Sequence, residues 1–322
     1  MTRFSTITAL LLAVAIVPAA IAQDMTYAER LGWPKDSKVI FFHVDDAGMS
    51  HSSNNGTIEA LTEGIATSVS TMMPCGWVPE FAHWLQENPD VDNGLHLTLT
   101  AEWDNYRWGP LAGKQAVPGL VDPEGCLWGN VAQVVAKANP DEVEMEIRAQ
   151  IERAEGLGIP ITHIDSHMGT LFATQPFLER YLKVGIEKQL PVLMMGGHAT
   201  FLREDDPRVQ QFMDAGLPEM VWNGGLPVLD DLHNKTYGWK TWEEKKKNMI
   251  ADLKRMKPGV MMIIVHCSRP SAIFDKITSS GDVRLADLQL VTDPDIKKVV
   301  EEEGMILTTW RELKERRDKV GN

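Results

Sequence analysis

Cysteine and basic residues are scarce in this sequence. Its 322 residues include three cysteines, which excludes a disulfide-dense fold and leaves at least one thiol without a partner in the chain. Acidic residues outnumber basic ones by 45 to 32, and a net charge of −13 argues against binding to the phosphate backbone of nucleic acids. Beyond the first 22 residues there is no apolar run long enough to cross a membrane. The 43% of hydrophobic residues is ample for a packed core, so a globular protein is expected.

The first 22 residues have the features of a secretory signal peptide. Arg3 provides the positive start, residues 9–17 form a short apolar run, and residues 20–22 form an A-x-A cleavage pattern before Gln23. We expect cleavage after residue 22, export to the periplasm or the medium, no stable membrane insertion after cleavage, and a single domain over residues 23–322. The oligomeric state stays open.

Short apolar segments alternate with amphipathic segments through the rest of the chain. The expected strands are residues 38–44, 67–73, 94–100, 159–164, 191–195, 260–265 and 305–309. The expected helices are residues 54–63, 79–87, 176–188, 242–256 and 295–303, with a further helix that begins at residue 140 and ends at Gly156 or Gly158. Strands that alternate with helices pair in parallel, with the helices covering the sheet. This α/β pattern predicts a closed or nearly closed (β/α) barrel, with an open doubly wound sheet as the alternative.

Polar side chains gather at the predicted carboxyl ends of the strands. They are Asp45, Asp46, His96, His163, Asp165, His167 and His266. Each residue taken singly is more typical of a turn former or a hydrogen-bonded core residue. Together they are distinctive, because the carboxyl ends of parallel strands surround one crevice. Burying so many polar groups costs on the order of several kcal/mol of folding free energy, unless the groups are paired or bind a metal.

Imidazole and carboxylate groups together are typical ligands for zinc or a similar divalent ion. Two histidines and one aspartate would leave a coordination position open for water, and a neighbouring carboxylate can act as general base. The adjacent pair Asp45 and Asp46 suits this division of labour. The spacing of the residues does not identify which of them are the ligands.

Three tryptophans lie in the long loop predicted over residues 101–130. Trp103, Trp108 and Trp128 either stack on a sugar ring of a substrate or fold the loop onto the barrel, and both interpretations stay open.

The three cysteines give no clear indication of a function. Cys75 and Cys126 are able to pair in an oxidising compartment, and the sequence leaves that pairing open. Cys267 follows His266, but no base is marked out to activate its thiol, so we do not expect a nucleophile there.

Several of these segments together resemble the YdjC-like (ChbG/HpnK) carbohydrate deacetylase family. The matching segments are VDDAGMS at 44–50, GIATSVSTMM at 64–73, GLHLTLT at 94–100, THIDSHMG at 162–169 and the tail at 284–313. The resemblance touches nearly the whole chain after the leader. It implies a distorted (β/α) barrel that is polysaccharide-deacetylase-like, and hydrolytic removal of N-acetyl groups from amino sugars or their oligosaccharides.

The resemblance also implies roles for particular residues. Asp46, His96 and His167 would hold one divalent metal ion, Zn²⁺ or Mg²⁺. Asp45 would be the general base and His266 the general acid or an orienting group. The substrate would be a small molecule or oligosaccharide that carries an acetylated amino sugar, with Trp103 and Trp108 as candidate substrate contacts.

The chain departs from the family pattern around these residues. The family usually has Asn at the position of His43 and Phe at that of Ala47. It commonly has Gln-His at residues 168–169, where this chain has Met-Gly, and Pro-Gly at residues 267–268, where this chain has Cys-Ser. Two alternatives therefore accompany the deacetylase hypothesis. One is an inactive glycan-binding relative, and the other is a metal hydrolase of an O-acetyl or phosphate ester.

Overall fold

A parallel β-sheet forms the centre of the protein. The computed structural model describes residues 25–205 and 213–321, so the predicted signal peptide lies outside the described residues. The strands are β1 (Lys38–Ala47), β2 (Ala66–Thr71), β3 (Asn93–Leu97), β4 (Ile164–Ser166), β5 (Asp231–His233), β6 (Gly259–Val265) and β7 (Ile306–Leu307). Their order is β4-β3-β2-β1-β6-β5, with β7 beside the start of β1. All the strand pairs are parallel, as the alternating pattern predicts.

Residues 191–196 connect the two outer strands of this sheet. The amide of Ile164 donates to the carbonyl of Pro191 over 2.8 Å, and the amide of Leu229 donates to that of Met194 over 2.9 Å. The sheet therefore curls until its ends are bridged, and the predicted distorted (β/α) barrel is confirmed over the open doubly wound sheet. The predicted strand at 191–195 is present only as isolated bridges, because each of its edges pairs over one or two residues.

Helices cover the outer face of the sheet. They are α1 (Tyr27–Arg30), α2 (His51–Thr62), α3 (Val78–Glu87), α4 (Val131–Lys137), α5 (Pro140–Gly156), α6 (Gln175–Lys188), α7 (Thr200–Asp205), α8 (Leu217–Asn223), α9 (Trp242–Arg255), α10 (Phe274–Ile277), α11 (Gly281–Thr292), α12 (Pro294–Glu302) and α13 (Trp310–Val320). Helix α5 begins where the sequence predicts, because the Asn139 side chain accepts from the amides of Asp141 and Glu142, and Pro140 needs no donor there. No helix of the described residues is both long enough and apolar enough to cross a membrane.

The predicted strands all differ in their bounds from the observed ones, most clearly at β3 and β4. The strand expected at 94–100 ends at Leu97, because the side chain of Gln150 takes up both the amide and the carbonyl of Thr98. The strand expected at 159–164 begins only at Ile164. Pro160 has no N–H to donate to a ladder, whereas the amide of Thr162 already donates to the carbonyl of Asn93 over 2.8 Å.

Asp230 fastens α1 to the end of the barrel at which β6 begins. Its buried carboxylate accepts from the amides of Tyr27 at 2.9 Å, Ala28 at 3.1 Å and Val260 at 2.8 Å. The first turn of a helix has amides without partners within the helix, so one carboxylate satisfies two of them and an amide of β6. Three buried donors thus depend on a single side chain.

We expect Asp230→Ala to lower the free energy of unfolding by about 3 kcal/mol or more, because each buried amide left unsatisfied costs about 1–3 kcal/mol. Urea denaturation followed by circular dichroism measures the change. The exposed Asp90, changed to Ala, is the matched control. A loss for Asp230→Ala no greater than that of the control would contradict the assignment.

Candidate metal centre

Asp45 and Asp46 lie at the carboxyl end of β1, and both carboxylates reach the same site. Neighbouring strand residues normally face opposite sides of a sheet. Here Asp46 has a φ of 69°, in the left-handed region, and the register between β1 and β2 shifts between Val44 and Ala47. The backbone turns at this point and brings the second carboxylate beside the first. Such a conformation is uncommon for a non-glycine residue and is typical of functional sites.

The three predicted metal ligands converge on one point. Asp46 Oδ1 lies 3.4 Å from His96 Nε2 and 3.4 Å from His167 Nδ1, and all three ligand atoms are within 4.8 Å of one another. Ligands bound about 2.1 Å from a tetrahedral ion are about 3.4 Å apart, so both edges have the expected length. These residues come from the ends of β1, β3 and β4, which the barrel brings together.

A carboxylate orients each of the two histidines. His96 Nδ1 lies 2.6 Å from Asp165 Oδ1, and His167 Nε2 lies 3.0 Å from Glu102 Oε1. The other ring nitrogen of each histidine therefore faces Asp46. Metal-binding histidines are typically held in this way by a hydrogen bond at the opposite nitrogen.

Asp46 carries a buried charge that Arg284 of α11 balances. Arg284 Nη2 lies 2.8 Å from Asp46 Oδ2. Burial opposes ionisation of Asp46, but Arg284 and His167 outweigh burial and hold the pKa of the carboxyl well below its usual range. Among the described residues, no hydrogen bond of normal geometry reaches Asp46 Oδ1. An ionised, buried oxygen that faces two imidazoles fits a divalent cation.

The charges around His167 also favour a bound cation. Burial lowers the pKa of its imidazole, but Glu102 and Asp46 outweigh burial and raise that pKa to about 10. Carboxylates that attract a proton so strongly also favour a metal cation at the other ring nitrogen.

Asp45 lies beside the three residues and contacts other groups. Its Oδ1 is 3.2 Å from His43 Nε2, and its Oδ2 is 3.8 Å from His96 Nε2 and 3.7 Å from His266 Nε2. The carboxylate is therefore close to the ligand cluster without replacing Asp46 in it.

His43, which departs from the family pattern, is completely buried beneath Asp45. Its Nδ1 lies 2.9 Å from Ser68 Oγ, and its Nε2 lies 2.9 Å from Asp165 Oδ2. Burial lowers the pKa of His43, but Asp165 and Asp45 outweigh burial and raise that pKa to about 9. The two carboxylates thus favour the protonated form of this imidazole, which lies between them.

His266 lies on the other side of Asp45, at the end of β6. Its backbone amide donates to Asp287 Oδ2 over 2.9 Å, and its ring packs against Tyr237 at a centroid distance of 4.9 Å. Asp287 is held in turn by Lys245 Nζ at 2.6 Å, and both side chains of this ion pair are fully buried. Burial lowers the pKa of the His266 imidazole more than the nearby aspartates raise it.

The aromatic and thiol predictions have mixed outcomes. Trp103 lines a cavity beside the cluster, whereas Trp108 is 5% exposed and donates its indole N–H to the carbonyl of Thr100. This favours a packing role for Trp108, and its predicted substrate contact stays a prediction.

Cys75 and Cys126 are free thiols. Burial raises the pKa of Cys267 well above its usual value, which suits an inert thiol.

Sequence analysis missed four charged residues of this site. Glu102 follows the predicted strand that carries His96, and its position in a loop beside that strand was the available signal. Arg284 and Asp287 lie three residues apart on α11, a helix for which the sequence analysis made no prediction, and Lys245 is on α9. Arg284 and Asp287 lie in the tail at 284–313 that matches the family, and this was the available signal for them. Nothing local in the sequence marks Lys245, because its partner Asp287 is distant along the chain.

Comparison of the sequence with known proteins identifies its relatives. The model of the YdjC-like protein family matches residues 39–302. A carbohydrate deacetylase of Thermus thermophilus is 28% identical over 297 residues, covering 90% of this chain and 99% of that protein. A chitooligosaccharide deacetylase of Yersinia enterocolitica is 28% identical over 285 residues, covering 85% and 98%.

A solved structure supports the fold. A protein of Enterococcus faecalis, described as a candidate cellobiose-phosphate cleavage protein, superposes with a TM-score of 0.73 at 22% identity, covering 86% of this chain and 99% of that one. At that identity the likeness concerns the barrel alone. Because the family model spans most of the sequence, including the segments that carry Asp46, His96 and His167, the chain belongs to the YdjC-like protein family.

Proposed function

We propose that this protein is a metal-dependent hydrolase that removes the N-acetyl group from an amino sugar or an oligosaccharide containing one. The observation that carries the proposal is the convergence of Asp46, His96 and His167 beside the carboxylate of Asp45. The names of the relatives, carbohydrate deacetylase and chitooligosaccharide deacetylase, support the substrate class.

Asp46, His96 and His167 would hold the metal ion. Two imidazoles and one carboxylate suit zinc or a similar transition metal better than magnesium, which prefers oxygen ligands. Such an ion, when bound, polarises a carbonyl group and lowers the pKa of water.

Asp45 is the proposed general base. It accepts a proton from the water that attacks the acetamide carbonyl, as the C–N bond gives way to a new C–O bond. His43 lies 3.2 Å from Asp45 Oδ1 and holds that oxygen in place, while Oδ2 faces the ligand cluster. A base needs this fixed orientation to accept the proton within hydrogen-bond reach.

His266 is the proposed route for the proton to the leaving amine. Its Nε2 lies 3.7 Å from Asp45 Oδ2, which is longer than a hydrogen bond. One bridging water, or a closer approach of the two side chains when substrate binds, would carry the proton from Asp45 to the imidazole and then to the amine nitrogen. Asp287, which is paired with Lys245, accepts from the backbone amide of His266 and so holds this residue in place. The products of the reaction are acetate and a free amino sugar.

The sugar is proposed to bind in a cavity of about 620 Å³ beside Glu102. Trp103 and Tyr237 line it together with polar residues, among them Asp104, Asn105 and Lys240. Aromatic faces pack on sugar rings and polar groups bond to hydroxyls, so this cavity suits a carbohydrate.

We also propose that the protein is exported. The basic start, the apolar run and the A-x-A pattern in the first 22 residues support this. The net charge of −13 disfavours a nucleic-acid partner, because the protein would repel the phosphate backbone.

The general-base role predicts that Asp45→Asn keeps the metal but loses at least about 100-fold in kcat, because the amide cannot accept the proton. Acetate release from N-acetylated oligosaccharides gives the rate, and plasma mass spectrometry gives the metal content of the same sample. Wild-type turnover by Asp45→Asn would refute the assignment.

Metal removal gives the second prediction. A chelator abolishes acetate release, and adding back zinc restores it. We expect His96→Ala and His167→Ala to lose the bound metal, whereas the exposed His83, changed to Ala, is the control and retains it. Full activity in metal-free protein would contradict the proposal. Binding of glycan without acetate release would favour the inactive relative, and release only from O-acetyl or phosphate esters would favour the ester hydrolase.

Export predicts that the mature protein begins at Gln23. Expression of the full sequence in a bacterium, followed by fractionation and mass spectrometry of the intact chain, tests this. Mature protein confined to the cytoplasm with residues 1–22 retained would show that the leader interpretation is wrong.

A further inference from the structure

The inner face of the barrel has a polar half and an apolar half. Strands β1–β4 carry the polar half. Its inward side chains are those of His43, Asp45, Ser68, Ser70, His96 and Asp165, which contact one another. The metal cluster and the proposed base belong to this half or lie at its rim, so the chemistry described above uses only part of the barrel interior.

The apolar half is formed by β5, β6 and residues 191–195. His43 pairs with Ile264 in the β1–β6 register, and Leu232 pairs with Met262, two residues before Ile264. Paired residues of parallel strands face the same side, so Ile264 and Leu232 point inward as His43 does. The bridge between Ile164 and Val192 likewise places Leu193 on the same face as Asp165.

A cavity of about 480 Å³ lies against this apolar half. Most of the residues that line it are aliphatic, aromatic or methionine, including Phe172, Leu193, Met195, Leu232 and Ile264. Ser166 and Asn234 supply the few polar groups. The volume falls within the range of about 300–1,000 Å³ that is usual for small-molecule sites, and a mostly apolar wall with few polar groups is typical of them.

The cavity adjoins the metal cluster. Ser166 and Met168, which line it, are the two neighbours of His167 in the chain, and Ile264 is two residues from His266. Met168 has a φ of 53° and is half exposed, so this lining residue is apolar and in contact with solvent. A substrate whose amide reaches Asp46, His96 and His167 is therefore within reach of the cavity.

An acetylated sugar leaves this cavity unused. The acetyl group ends in one methyl, and the hydroxyls of a sugar need polar partners such as those beside Trp103, in the cavity proposed above for the sugar. An apolar wall of this size instead suits an aliphatic chain, because hydrocarbon gains free energy on leaving water and hydroxyl groups lose it when unpaired.

We infer that the substrate carries an aliphatic chain of several carbons close to the scissile amide, and that this chain binds in the cavity lined by Leu193, Leu232 and Ile264. The inference rests on the proposed metal-dependent hydrolase function and specifies its substrate further. A longer acyl group would replace the acetyl group of the proposed substrate, whereas an alkyl group elsewhere on the sugar would leave the acetyl group in place. The chain has two possible sources, the acyl group that is cleaved off or an alkyl group on the anomeric oxygen of the sugar.

Two series of compounds test the inference and separate these sources. One series is N-acylglucosamine with acetyl, butyryl, hexanoyl and octanoyl groups, and the other is N-acetylglucosamine with methyl, butyl and octyl aglycones. In the series that matches the natural chain, kcat/KM of the metal-loaded protein should rise by up to about fourfold for each methylene that enters the cavity. It should level off or fall once the cavity is full.

Cavity variants make the test specific. Leu193→Phe fills part of the space and should reduce the ratio of kcat/KM for the longest chain to that for the shortest by at least about tenfold. Leu232→Ala enlarges the cavity and should move the best chain length upward, which covers the case in which Leu193→Phe fails to fold. Ile273→Phe adds the same ring at a site that is 75% exposed and outside the cavity, and this control should leave the ratio unchanged.

Binding provides a measurement that does not depend on turnover. Titration calorimetry with alkyl glucosides, which have no amide to cleave, should show affinity that rises with chain length in wild type and not in Leu193→Phe, with a negative heat-capacity change. Values of kcat/KM that are flat or fall with chain length in both series, from protein that cleaves the acetyl compounds, would overturn the inference and leave the proposed function standing. If nothing is cleaved, the proposed function fails, and chain-length-independent binding of alkyl glucosides would then overturn the inference separately.

Discussion

The buried carboxylate of Asp46 is the charge around which the site is organised. Burying an ionised group costs on the order of several kcal/mol, unless other charges compensate it. Here Arg284 takes one oxygen at 2.8 Å, and two imidazoles face the other at 3.4 Å each. Arg284 comes from α11, near the end of the chain, so this ion pair also ties the last third of the protein to β1. Loss of any one partner would leave the others with unbalanced charge.

The remaining polar groups extend from that centre in two directions. On one side, Asp165 joins His96 to His43, and His43 joins Asp165 to Asp45. On the other side, His266 lies between Asp45 and the Asp287–Lys245 pair. Each carboxylate thus has a cationic or imidazole partner, which is the condition for keeping so many charged groups in an apolar barrel. The inward side chains of β5, β6 and residues 191–195 line a mostly apolar cavity instead.

Local sequence signals predicted the elements that depend on nearby residues. The cap at Asn139 and the apolar run of β6 were identified correctly because their causes lie within a few residues. The early end of β3 was not predictable, since the competing partner is the side chain of Gln150 on another element. For the same reason β5 went unnoticed within a loop-rich stretch, because three residues carry no periodic pattern and the strand exists by pairing with β6.

The sequence by itself determined the chemical types at the strand ends and, through its motifs, the family and the identity of the candidate ligands. It also determined the parallel pairing of the strands, because strands that alternate with helices have few other ways to bury their apolar faces. The bridges through residues 191–196 decided for the barrel over the open doubly wound sheet. Only the tertiary structure showed how the adjacent residues Asp45 and Asp46 both face one site, through the left-handed turn at Asp46. It likewise decided that Glu102 and Arg284 complete that site and that an apolar cavity adjoins it. These features depend on contacts between residues far apart in the chain, and such contacts arise only when the whole barrel has closed.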